Sequence, residues 1–257
     1  MNRPASLEGA PLLVVSPHLD DAWLSCAALL LRSRPLDVLN VFTGTPTPPR
    51  STPWDLRSGF PDSAATVAAR RLEDDGAFAG TTHRRTSLGL LTTSYLDGPR
   101  DPADAEVLAA AVADWAGSAG DDAVVALPAG AGSRLPVAAL RVLGWAGRFR
   151  GRTPRNSEHV YVRDAALRAI DRTKAVPLLY EELPYLWSGS GDRQARRTAS
   201  ALRRRAVELT LTVDRDEKAR RLASYASQLA SFELRLDGPG VLPPSERYWL
   251  LERPASA

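Results

Sequence analysis

The sequence predicts an α/β protein, a Rossmann-like, doubly wound and mostly parallel sheet with helices on both faces. Two observations carry that prediction. Short apolar runs alternate with helix-length patterns through the first two-thirds of the chain, the order produced by successive strand–helix–strand units. The runs are also continuously hydrophobic rather than alternating, as strands covered on both faces must be.

Taken in order, "PLLVVS" (Pro11 to Ser16) and "LDVLNVFTG" (Leu36 to Gly44) read as the first two strands. "DAVVALPAG" (Asp122 to Gly130) and "AVPLLYEELPY" (Ala175 to Tyr185) read as two more. Helical patterns begin near Asp20 and cover Ser63 to Phe78, Pro102 to Trp115 and Glu158 to Arg172. The stretch Thr43 to Asp62 is a long loop rich in Pro, Gly and Ser, a length that more often serves function or motion than nothing. Past Tyr185 the pattern changes to a basic helix ("GDRQARRTASALRRRA"), a strand ("VELTLTV") and a helix ("DEKARRLASYASQLASF"), with the terminal "LERPASA" expected to fray.

Composition narrows the function classes. The 257 residues suit one large domain or two small ones, and 44% hydrophobic with 25% charged residues is ordinary for a soluble globular protein. A net charge of +3 gives no general argument for nucleic acid. Arg193, Arg196, Arg197, Arg203, Arg204 and Arg205 make one basic stretch, but no aromatic residues interleave them, so it reads as a solvated helix and no nucleic-acid partner is expected. The single cysteine, Cys26, excludes an internal disulfide and a cysteine-only metal site. No signal-peptide pattern opens the chain and no run nears the roughly 18 apolar residues of a membrane span, so a cytoplasmic protein without a membrane partner is expected.

The chemistry concentrates in "SPHLDDAWLSCAALL", where His18, Asp20 and Asp21 fall between the first strand and the first helix. Imidazole nitrogen and carboxylate oxygen are both good Zn²⁺ ligands, and His18 and Asp21 are spaced to converge on one point. Asp20 beside them would accept a proton from an activated water. The same residues also suit a simpler role, in which the two aspartates cap the helix and favour its dipole while His18 is a loop histidine.

This segment resembles the first signature of the PIG-L/LmbE-like deacetylases, written His-Pro-Asp-Asp or His-Leu-Asp-Asp. Three further stretches resemble that family in order: "ARRLEDDGAFAG" its Arg-x-x-Glu helix (Arg70, Glu73), "LLYEELPYLW" its Tyr-Glu-Asp-Leu-Pro-Tyr strand end, and "DEKARRLASYASQLASF" its late Lys…Tyr-x-Ser-Gln helix. The match spans nearly the whole chain. It implies one domain over residues 1–257 that removes acetyl or other acyl groups from N-acylated amino sugars or related small molecules. It also implies Zn²⁺, or another divalent metal, held by His18 and Asp21, with Asp20 as general base.

The family takes its third ligand from a His-x-Asp-His element. Here the turn "PAGAG" (Pro128 to Gly132) is followed by "SRLPVA", which cannot bind metal, whereas "NSEHVYVRDAALRAI" resembles the element and the helix after it. That alignment makes His159 the third metal ligand and residues 133–155 an insertion, which carries a helix-like pattern with Trp145 and Phe149. It puts Asn156 where the family has an oxyanion-stabilising histidine, and Glu158 where it has aspartate, outside the ligand set. Asn156 still donates to an oxyanion but shuttles no proton at neutral pH. Arg70 is expected to contact substrate or brace the long loop, the alternative being an ion pair with Asp74. His83 matches nothing and reads as a surface residue. "LGLLTTSY" departs from relatives near Thr92 and at Leu96, which points to an altered substrate pocket. The expected substrate is a small N-acylated molecule, a sugar conjugate; the competing reading is a degenerate relative that binds metal or sugar without efficient turnover.

Overall fold

In the computed structural model, the described residues are 7, 9–32, 34–130, 157–183, 191–231 and 242–253. The inserted segment 133–155, with Trp145 and Phe149, and Asn156 lie outside them. Among the described residues seven strands form one sheet: β1 (Leu12–Ser16), β2 (Asp37–Asn40), β3 (Arg84–Ser87), β4 (Val124–Pro128), β5 (Val176–Tyr180), β6 (Arg205–Thr212) and β7 (Ser245–Glu252). Their spatial order is β3-β2-β1-β4-β5-β7-β6. The first five run parallel, and β7 lies antiparallel to both β5 and β6. The sequence expectation of a mostly parallel α/β sheet holds.

The described helices are α1 (Asp21–Leu30), α2 (Pro53–Arg57), α3 (Ser63–Phe78), α4 (Pro102–Ala119), α5 (Ser157–Ile170), α6 (Gly191–Ala201), α7 (Arg215–Leu222) and α8 (Ala226–Ser231). None among the described residues is long and apolar enough to cross a membrane. Alternate residues of the central strands face opposite sides, so β1 sends Leu13 and Val15 to one core and Val14 to the other. Leu108 and Val112 of α4 and Val162 of α5 fill the first core; α1, Phe78 of α3 and Leu222 of α7 fill the second.

Several elements differ from the sequence expectation, each for a physical reason. Strand β3 ("RRTS") has no apolar residue because it is an exposed sheet edge, where basic side chains also discourage further pairing. The late helix is two, α7 and α8, because Glu73 accepts from the backbone N–H and hydroxyl of Ser227 and so starts a new helix there. Leu251 and Glu252, expected to fray, belong to β7, and Leu251 is fully buried. Arg205 and Ala206 lie in β6 rather than the preceding helix. His83 is no surface residue: one ring nitrogen faces the Leu36 N–H at 3.2 Å and the other the Leu30 carbonyl at 2.8 Å, bracing the end of α1 against β2.

The long loop is anchored by one carboxylate. Asp55, fully buried on α2, accepts from the Thr52 N–H and hydroxyl on one oxygen and from Thr66 and Tyr95 hydroxyls on the other. Burial alone would raise its pKa, but these hydrogen bonds hold it below the ordinary carboxylate range.

Helix α1 is interrupted at Cys26, whose φ of −130° and ψ of 23° are not helical. A buried ion pair fills the break: Lys218 donates to the Leu24 carbonyl and to Glu246, while Glu246 accepts from the Ala27 and Ala28 N–H groups. Side chains inserted into the i→i−4 ladder are an established cause of such kinks. Replacing one partner strands the other charge, so Lys218→Met is expected to cost about 3–5 kcal/mol in urea unfolding. Because Asp55 has a depressed pKa when folded, its contribution is present above the unfolded value and lost as pH falls. The wild type should therefore lose stability below about pH 4 more steeply than Asp55→Asn, measured by urea unfolding across pH.

Candidate active site

In sheets of this type the crevice lies outside the carboxyl ends of the strands, where the strand order reverses. That point falls between β1 and β4, and the segments leaving β1, β4 and β5 there carry the polar residues.

After β1 the chain makes a tight turn into α1. Ser16 Oγ accepts from the Ala22 N–H at 3.0 Å and donates to the His18 carbonyl at 2.5 Å. The helix end is thereby served by Ser16, and Asp20 makes no side-chain cap. Asp21 reaches back, its Oδ2 accepting from the His18 N–H at 2.8 Å and lying 3.1 Å from His18 Nδ1. The simple capping role for the two aspartates is therefore not what the fold uses.

His159, in the first turn of α5, is fully buried and brings Nε2 to 3.4 Å from the same Asp21 oxygen. The three sequence-predicted metal residues thus converge, with one donor atom each from His18, Asp21 and His159 inside a 4.8 Å cluster. A tetrahedral ion with bonds of about 2.0–2.1 Å spaces its ligands roughly 3.3–3.4 Å apart. The distances of 3.1 and 3.4 Å about Asp21 match that spacing. Nitrogen and carboxylate donors in this number also suit a zinc site with a position left open.

Each imidazole has a glutamate at its other nitrogen. Glu158 Oε2 lies 3.1 Å from His18 Nε2, and Glu182 Oε1 lies 3.4 Å from His159 Nδ1. Glu158 is held in turn by the Thr92 hydroxyl and the Thr93 N–H, with Arg100 3.7 Å away. Thr92 therefore works as a donor to Glu158, a partnership in which an acidic residue would repel. Arg100 lies over both Phe42 and Tyr161, its guanidinium 4.5 and 5.1 Å from the ring centres.

Asp20, beside this cluster, pairs with Arg70 of α3, whose Nη2 donates to it at 2.8 Å. The expected alternative for Arg70, an ion pair with Asp74, is not formed; Asp74 takes Arg85 and the Tyr225 hydroxyl instead.

Electrostatics favour a cation at the convergence point. Asp20, Asp21, Glu158 and Glu182 are buried carboxylates around two imidazoles. Burial alone would lower the histidine pKa values, but Asp21 and Glu158 raise that of His18, and Asp21 and Glu182 push His159 up to about 10. Burial likewise opposes ionisation of Asp21, yet His159 and His18 hold its carboxyl well below the usual range. Asp20 is different: burial raises its carboxyl and Arg70 only partly offsets this. The site thus pairs an ionised carboxylate, Asp21, with a neighbour whose proton affinity is higher, the division of labour that acid–base chemistry needs.

Sequence reasoning assigned no role to Glu182 or Arg100. Glu182 had a usable signal, an acidic residue closing a buried strand at the carboxyl edge of the sheet. Arg100, in a loop with no periodicity, had none.

No family model matches the chain, and no curated protein does. Solved structures do. A deacetylase triple mutant of the teicoplanin biosynthetic pathway superposes with a TM-score of 0.64 at 23% identity, covering 96% of this chain and 100% of that one. The A40926 pseudoaglycone deacetylase Dbv21 gives 0.59 at 21% identity, with 96% and 99% covered. GalB, the 4-carboxy-2-hydroxymuconate hydratase of Pseudomonas putida KT2440, gives 0.55 at 14% identity, with 96% and 98% covered. These likenesses establish the fold. Because one fold carries both deacetylases and a hydratase, the activity has to be argued from the site itself.

Proposed function

We propose that the protein is a metal-dependent amide hydrolase that removes an acetyl or related acyl group from an N-acylated amino sugar or a natural-product intermediate carrying one. The observation that carries this reading is the convergence of His18, Asp21 and His159 with the carboxylate of Asp20 alongside. The four motif resemblances to PIG-L/LmbE-like deacetylases support it, as does a fold shared with a deacetylase of the teicoplanin pathway and with the A40926 pseudoaglycone deacetylase. The hydratase that shares the fold is compatible, since hydration and hydrolysis both require an activated water.

His18, Asp21 and His159 would hold Zn²⁺ or a similar dication, which supplies Lewis acidity to polarise an amide carbonyl and acidify water. Asp20 takes the proton of the attacking water, and burial keeps its carboxyl basic enough to do so. Arg70 keeps Asp20 directed and, through its other N–H groups, contacts the substrate. Glu158 stands behind His18 and fixes which ring nitrogen is free to ligate. The motif resemblance assigns the oxyanion to Asn156, which lies outside the described residues and whose amide is by chemistry a suitable donor. The amine needs a proton to leave; protonated Asp20 returns the one it took, so that water adds across the C–N bond with no other reactant.

Mass spectrometry of the purified protein should find one divalent metal per chain, absent from His159→Ala. Amine release from simple N-acetyl sugars should fall roughly 10²–10⁴-fold in Asp20→Asn; unchanged release would remove Asp20 as the base, and release absent from the wild type with metal in place would favour the non-catalytic reading. The base works deprotonated, so kcat/KM should fall as pH drops through its pKa. Arg70 lowers that pKa, and Arg70→Met should therefore move the acid limb of the profile to higher pH.

A further inference from the structure

Glu182 lies two residues beyond the end of β5 and is fully buried. Its neighbour Glu181 turns the other way, to the guanidinium of Arg247 on β7. The backbone here is fixed on two sides: the Tyr180 carbonyl accepts from the Ala129 N–H, and the Leu183 N–H donates to Ser25 Oγ on α1. The side chain then continues the β4–β5 ladder by one rung, Oε1 accepting from the Gly130 N–H at 2.6 Å. The same oxygen is 3.4 Å from His159 Nδ1.

The turn it grips is tightly specified. Gly130 has φ of +76°, and a Cβ there would lie 2.5 Å from the guanidinium of Arg163, which donates to the Ala129 carbonyl. Arg163 is four residues after His159, on the same face of α5. Arg163 thus joins the helix directly to the β4 turn, and Glu182 accepts from the turn at Gly130 while its same oxygen faces His159 one helical turn earlier.

We propose that Glu182 is a positioning residue of the metal centre, its carboxylate spanning from Gly130 to His159 Nδ1 and so turning His159 Nε2 onto Asp21. The proposal rests on the metal-site reading given under Proposed function. A neutral imidazole carries one proton, and the nitrogen that ligates must be the other one. A carboxylate at Nδ1 keeps the proton there, makes Nε2 the ligating atom and increases its basicity. Glu182 cannot bind the same ion, since it sits at the opposite nitrogen of the ring.

The test compares full-length wild type, Glu182→Gln and His159→Ala, stripped of metal and titrated with Co²⁺ against a chelator, with visible absorption and thermal unfolding of the metal-free proteins. Glu182→Gln still offers Gly130 an acceptor, so its metal-free Tm should stay close to wild type. Its Co²⁺ affinity should fall about 10–100-fold, and its absorption bands should shift. Affinity within twofold of wild type, with an unchanged spectrum, would overturn the proposal. If Glu182→Gln does not fold, Glu182→Asp takes its place; it keeps the charge on a shorter arm, and unchanged Co²⁺ affinity there would overturn the proposal equally. Full Co²⁺ binding by His159→Ala would instead overturn the metal-site reading itself, which keeps the two failures apart.

Discussion

The Lys218–Glu246 pair is the interaction on which the rest of this structure leans. Helix α1 runs buried along its whole length, yet it breaks at Cys26, leaving a carbonyl and two N–H groups unpaired inside the core. Each such group would cost on the order of 1–3 kcal/mol if left unsatisfied. The ammonium takes the carbonyl and the carboxylate takes the two N–H groups, with the Tyr248 hydroxyl completing the carboxylate's shell. One pair therefore joins α7, β7 and both halves of α1, and it sets the direction of the half that begins with Asp21.

The same segment is gripped from other sides. The Tyr225 hydroxyl reaches the Leu19 carbonyl, and Ser25 Oγ receives Leu183 from the far end of β5. What the motifs share is thus a mechanical task as much as a chemical one: Tyr225 holds the turn at Leu19, Lys218 anchors α1 behind it, and the Glu73–Ser227 contact ties α3 to the helix that follows Tyr225. The sheet supplies the location, the braces supply rigidity, and four carboxylates supply an electrostatic need for a cation.

The sequence revealed the parallel sheet because buried parallel strands are continuous apolar runs, and β1, β4 and β5 are buried almost throughout. Edge strand β3 is exposed throughout and β6 alternates between half-buried and exposed residues, so both gave weaker signals, while β7 is largely buried but pairs with strands distant in sequence. At the site, His18, Asp21 and His159 were legible as metal-binding residue types. Which carboxylate would serve which nitrogen was not. Asp20 going to Arg70, Glu158 to His18 and Glu182 to His159 are choices made by side-chain direction at strand and helix ends, which residue identity does not encode.

The clamp at Gly130 also bears on how such a protein changes over time. Residue 130 and the start of α5 are joined through one carboxylate from a third segment. Closing a loop between fixed ends becomes only about 0.6 kcal/mol harder for each doubling of its length. The number of residues between those two anchors can therefore change at little entropic cost, while the Gly130–Glu182–His159 contacts that join the anchors stay the same.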